Sequence, residues 1–138
     1  MSFSLRPLDV DDYHALVRLW TSVGWIDVRQ TDTPEALEKF LQRNPACNFG
    51  VYESDDLVGA VLAGHDGWRG YLYHMAVAPE FWGLGIGKQL VIAATEAIML
   101  DGVPKVHCLV KRENTDARQF WESCGFVPRD ELLDYSFG

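Results

Sequence analysis

The chain has 138 residues, 48% of them hydrophobic and 23% charged, and a net charge of −8. That length suits one domain, 1–138, with one continuous core, and no run approaches the roughly 20 apolar residues of a membrane span. The acidic balance argues against a nucleic-acid surface, which needs clustered Lys and Arg to displace counterions, and it suits a cationic small molecule or basic peptide, although acidity also serves solubility alone.

The N-terminal MSFSLRPLDVDD meets acidic residues before any apolar core, so no secretory signal is read and a cytoplasmic location is expected. Phe3–Arg6 alternates and predicts a short strand. Asp9 is an N-cap candidate with Asp12 three residues on, and Tyr13, Leu16, Val17 and Trp20 recur on one helical face, predicting a helix over Val10–Ser22. A second start signal at Asp32, with Pro34 in the first turn and Glu35 at the capping-box position, predicts a helix that stops near Arg43, ahead of Asn44-Pro45. Two β-rich runs, Asn48–Glu53 and Leu57–Gly64, flank the hairpin signal Ser54-Asp55-Asp56, and His65-Asp66-Gly67 leads into a third, Gly70–Val77.

The chain then changes character. Gly83, Gly85 and Gly87 precede Lys88–Leu100, a helix apolar nearly all round and so expected to be covered on most sides. Val106–Val110 reads as a strand, Asn114 as the cap of a helix carrying Ala117, Phe120, Trp121 and Cys124, and Gly125 as its left-handed stop. Phe126–Arg129 and Leu132–Phe137 read as a closing pair of strands. The fold class is therefore α/β, an α+β mixed sheet of about seven strands with four helices and a parallel crossover between the fourth and fifth strands. Cys47, Cys108 and Cys124 are widely spaced, with no CxxC pair and no histidine cluster, so neither a disulfide nor a metal is expected.

The glycine loop PEFWGLGIGKQL fits neither common nucleotide motif. A Walker loop, G-x-x-x-x-G-K-S/T, would need glycine where Trp82 stands and Ser or Thr where Gln89 stands. The G-x-G-x-x-G fingerprint fails at Lys88 or Leu90, and three strands already precede the loop. What remains is the physics such loops share: glycines turn backbone N–H groups inward, and the following helix N-terminus favours an anion. A pyrophosphate is the natural guest, with a plain strand-to-helix turn as the alternative.

The run HMAVAPEFWGLGIGKQLV resembles the acetyl-CoA-binding motif of the GCN5-related N-acetyltransferases, in which a strand and a Pro-Glu-Tyr-like turn precede Arg or Gln, then x-x-G-x-G/A, at the head of a long helix. NTDARQFWESCGF is similar to that family's second motif, an Asn-capped helix with an aromatic pair and a Gly-Phe ending. The resemblance extends over essentially the whole chain and is weakest in Thr21–Cys47. It implies the family fold, with the central parallel strand pair splayed around acetyl-CoA, and transfer of acetyl to a primary amine, on a small molecule or a peptide N-terminus. By the same resemblance the cofactor-binding residues are Met75, Ala76 and Val77, whose strand backbone would pair with pantetheine amides; Trp82, Gly83, Leu84, Gly85, Ile86, Gly87 and Lys88, whose N–H groups would hold the pyrophosphate; and Asn114, which would sit beside the cofactor arm.

For catalysis, the family's acid is often a tyrosine in the second motif, and Trp121 stands at that position. Indole N–H donates a hydrogen bond but releases no proton at accessible pH. Tyr73 or Cys124 would have to substitute, unless the thiolate leaves unaided. Base candidates are Glu53, Asp66, Tyr71, His74 and Glu80, or an ordered water backed by a carboxylate. Strand alternation puts Tyr71, Tyr73 and Met75 on one face and His74 on the other. Trp20, Trp25, Trp68 and Tyr71 are aromatic candidates for an acceptor pocket, with Trp20 also on the core stripe. The rival reading is an acyl-CoA-binding sensor without turnover, motivated by Trp82 and Trp121, and a homodimer is left open.

Overall fold

The computed structural model of the protein describes residues 2–138. In chain order its elements are β1 (Phe3–Pro7), a 3-10 turn (Val10–Asp12), α1 (Tyr13–Val23), α2 (Pro34–Arg43), β2 (Phe49–Glu53), β3 (Asp56–His65), β4 (Gly70–Val77), a second 3-10 turn (Pro79–Phe81), α3 (Ile86–Leu100), β5 (Val106–Cys108) and α4 (Thr115–Ser123). One sheet runs β1-β2-β3-β4-β5. Its first four strands are antiparallel, and α3 crosses over to place β5 parallel to β4. This is the expected mixed sheet with four helices, but with five strands rather than about seven.

The missing pair is at the C-terminus, where Phe126–Arg129 and Leu132–Phe137 form no strands. Alternation alone supplies no partner: β5 pairs through only three residues, and a free two-stranded ribbon is marginal in water. Leu132, Leu133, Tyr135 and Phe137 accordingly stay exposed.

Each sheet face has its own core. Val51, Val61 and Leu72 pack with Leu90, Ala94, Ile98 and Trp121 under α3 and α4. Ala60 and Ala76 pack with Leu16, Leu19, Trp20 and Leu37 under α1 and α2. Helix α3 is covered on one side only, since Ile92, Met99 and Leu100 are exposed. Its nearly all-apolar surface therefore overstated its burial.

Helix starts explain two local details. The Asp9 carboxylate accepts from the Asp11 N–H at 2.8 Å and Asp12 reciprocates to the Asp9 N–H at 3.0 Å, but the first turn is 3-10 and α1 proper begins at Tyr13. For α2 the cap is Thr33 and not Asp32: Pro34 occupies the first helical position and the Thr33 hydroxyl accepts from the Ala36 N–H at 3.1 Å. Asp32 is thereby released from capping.

Asn48 ties the two layers together. Buried between β3 and the end of α2, it donates through Nδ2 to the carbonyls of Asn44 and Ala63, both at 2.9 Å, and accepts from the Ala63 N–H at 2.7 Å. Asn48→Ala strips partners from several buried backbone groups, each worth about 1–3 kcal/mol when left unsatisfied. Urea unfolding is expected to give a loss of about 3 kcal/mol or more, and Asn48→Asp is expected to recover none of it, because a buried carboxylate oxygen would face the Asn44 and Ala63 carbonyls that Nδ2 serves.

Candidate functional site

The sheet opens between β4 and β5. Their pairing covers Gly70–Leu72 opposite Val106–Cys108 and then ends, so the strand expected to reach Val110 stops early. From Tyr73 to Val77, over about 15 Å of backbone, β4 has no paired strand on its β5 side among the described residues.

A bulge lies at the start of that stretch. Ala60 faces Ala76 while Leu62 faces Tyr73, so β4 advances three residues against two on β3. His74 absorbs the extra residue at φ +48°, a left-handed conformation costing of order 1–3 kcal/mol for a non-glycine. The bulge overturns the expected alternation. Tyr73 and His74 line the same cavity, whereas Met75 packs on the opposite face beside Phe120 and Gly87.

That cavity, about 390 Å³, lies between α1, α2 and β4. Trp20, Leu37 and Phe40 contribute its apolar wall, and Asp32 its one carboxylate. The Asp32 side chain accepts from the Arg29 N–H at 2.8 Å and sits 3.5 Å from His74 Nε2. The Tyr13 hydroxyl donates to the Asp32 backbone carbonyl at 2.5 Å, tying the loop before α2 to α1. His74 also meets Trp20 edge-on, with centroids 4.8 Å apart. Trp20 is 2% exposed, and its indole N–H is buried without a hydrogen-bond partner among the described residues. Partial burial, with lesser contributions from Tyr71 and Asp66, raises the pKa of Tyr73 above the ordinary tyrosine value.

At the far end of the open stretch lies the glycine loop. Gly83 and Gly85 have φ of +81° and +83°, and a Cβ at either would meet nothing within 4 Å, so backbone conformation rather than space demands glycine. Gly87 is glycine for the other reason: a Cβ there would lie 2.8 Å from the Phe120 ring. Gly85 caps α3 without a side-chain hydrogen bond, and the first helical bond closes at the Gln89 N–H, leaving the N–H groups of Ile86, Gly87 and Lys88 outside the intrahelical ladder. Lys88 is exposed at the same end and Leu84 projects into solvent.

Trp82 departs from expectation. Its backbone N–H donates to the Pro79 carbonyl at 3.3 Å, so it is not among the inward-turned donors. Its indole N–H donates to the Val77 carbonyl at 2.6 Å, occupying the β4 group expected to face pantetheine. Ala76 is buried on the α1 side. Asn114 caps α4, its side-chain oxygen accepting from the Ala117 N–H at 3.1 Å, so Nδ2 takes no part in the cap.

The remaining candidates are scattered. Trp121 is buried in the α3-side core against Phe120 and Phe126, on the opposite face from the cavity. Cys124 lies at the edge of that core. Burial pushes the Cys108 thiol up to about 12 and the Cys47 thiol to about 11, so neither supplies a thiolate near neutrality. Asp66 accepts from the N–H groups of Trp68 and Arg69 in the β3–β4 turn, and Glu53 and Glu80 line a second cavity beyond α1. Trp25 and Trp68 are exposed and outside the pocket, while Tyr71 stacks on Tyr73 at 5.9 Å. Sequence reasoning missed Asp32 as a pocket residue because it read the aspartate as a cap; the Thr33-Pro34 pair was the signal for the true cap.

Residues 12–126 match the model of the acetyltransferase (GNAT) family. The chain belongs to that family. An acetyltransferase of Pectobacterium atrosepticum is 31% identical over 111 residues, covering 80% of this chain and 77% of that one. One of Sodalis glossinidius is 26% identical over 130 residues, covering 94% and 90%. Among solved structures, the PaiA N-acetyltransferase of Thermoplasma acidophilum, in complex with coenzyme A, superposes with a TM-score of 0.80 at 22% identity over 94% of this chain and 92% of that one. A putative acetyltransferase of Agrobacterium tumefaciens gives 0.78 at 20% over 97% and 99%. This GNAT protein is thus an acetyltransferase with the family fold. Among the described residues no helix is long and apolar enough to cross a membrane, and no group of three His, Cys, Asp or Glu side chains is placed for a metal.

Proposed function

We propose that the protein transfers acetyl from acetyl-CoA to a primary amine held in the α1–α2 pocket. The observation that carries this reading is continuity: the unpaired β4 stretch runs from the pocket residues Tyr73 and His74 to the glycine loop at the head of α3. A coenzyme A arm along that stretch has its pyrophosphate at the N–H groups of Gly83–Lys88 and its thioester beside the pocket. Met75 and the free side of the β4 backbone offer amide partners, and Asn114 Nδ2 a further donor. Val77 contributes through groups other than its carbonyl.

In the reaction the amine nitrogen attacks the thioester carbonyl, a C–N bond forms, the C–S bond breaks, and the products are an amide and the thiol of coenzyme A. His74 is the base that takes the ammonium proton, held in place by Asp32 and the Trp20 edge. Tyr73 is the acid that returns a proton to the departing sulfur, since its phenol lines the pocket beside His74 and, like any tyrosine, carries its proton at neutral pH. Trp121 holds α4 against the core. Coenzyme A thiol release measured across a panel of amines tests the proposal. Release above hydrolysis for at least one amine is expected; tight acetyl-CoA binding with no release for any amine would favour the sensor reading.

A further inference from the structure

We infer that the acceptor is an amine with an uncharged apolar or aromatic body, and that acceptors carrying a phosphate or carboxylate beside the amine are rejected; this rests on the proposed use of the α1–α2 pocket. Three observations point the same way. Asp32 is the only carboxylate lining the pocket, and no Lys or Arg lines it among the described residues. An acceptor anion would lose its hydration there without gaining a counter-charge, and would lie beside Asp32. His74, the one lining group able to carry positive charge, already faces Asp32 and must be neutral to accept a proton.

The wall facing these groups is aromatic. Phe40 meets Tyr73 edge-on at 5.9 Å, and Trp20 meets His74 in the same way at 4.8 Å. Such a surface favours a flat or apolar body, and the ring faces with the Asp32 carboxylate favour an ammonium. The net charge of −8 adds a long-range bias against anions.

Tyramine and tyrosine differ by one carboxylate, so they isolate the point. In assays of coenzyme A thiol release, kcat/KM for tyramine is expected to exceed that for tyrosine and for glucosamine 6-phosphate by at least tenfold. Asp32→Asn, which keeps an oxygen for the Arg29 N–H, should raise KM for tyramine and shrink that gap. Equal or better use of tyrosine or glucosamine 6-phosphate overturns the inference and leaves acetyl transfer standing. If no amine is acetylated, acetyl transfer falls, and calorimetry on the protein–coenzyme A complex decides the pocket separately. Tyramine binding at least tenfold tighter than tyrosine then upholds the inference; equal binding, or none, overturns it.

Discussion

Replacing His74 with Asn is expected to lower kcat by about 10²–10⁴-fold, the usual contribution of a positioned general base, while the Kd for acetyl-CoA changes less than about threefold. The choice of Asn matters because residue 74 sits at φ +48°. Asn enters the left-handed region more readily than most residues, so the bulge and the facing of Tyr73 survive, and what is lost is the imidazole. A His74→Leu change would confound the two, since a bulky residue there forces β4 back toward regular pairing and moves Tyr73 away from the cavity. The companion variant is His74→Gly, which tolerates the same φ and leaves room beside Trp20 for a free imidazole. Partial recovery of kcat on adding imidazole, absent in the Asn variant, is the result a purely structural histidine would not produce. Full activity of His74→Asn would remove His74 from the mechanism and leave an ordered water beside Asp32 as the base.

Much of this arrangement was legible in the residues, for reasons that mark what was not. The glycine loop and the Asn-capped α4 are local features, set by φ preferences and side-chain-to-backbone bonds within a few residues, so sequence spacing reports them directly. The order of elements followed from periodicity in the same way. His74 and Asp32 were harder. Period-two alternation assumes an unbroken strand, and the extra residue in β4 reversed the facing of Met75 relative to Tyr73, which only pairing with β3 reveals. Asp32 competed with Thr33 for one cap, and Pro34 decided in favour of threonine. The closing strands failed because Leu132–Phe137 has a strand pattern without a paired edge to join. Trp82 turned on a contact across five residues, indole to the Val77 carbonyl, for which a tryptophan at that position carries no signature.

Gly85→Val is expected to weaken acetyl-CoA binding by about a hundredfold, equivalent to about 2.8 kcal/mol, as measured by calorimetry. Gly85 holds φ +83° at the cap of α3, where a β-branched residue is a steric outlier even though the space around its Cβ is open. The chain relieves that strain by rotating the peptide, which re-aims the N–H groups of Ile86, Gly87 and Lys88, the donors proposed for the pyrophosphate. Strain alone would also lower stability, so the control must carry the same backbone cost elsewhere. Gly102, just past the other end of α3, has φ +85° and equally open surroundings. Gly102→Val should therefore lower the unfolding midpoint about as much as Gly85→Val while leaving acetyl-CoA affinity within about threefold of the unmodified protein. Equal loss of affinity in both variants would mean that binding follows global stability, and the loop would lose its claim to the phosphates. Separation of the two places the anion at the N-terminus of α3, and with it the thioester at the pocket end of the open β4 strand.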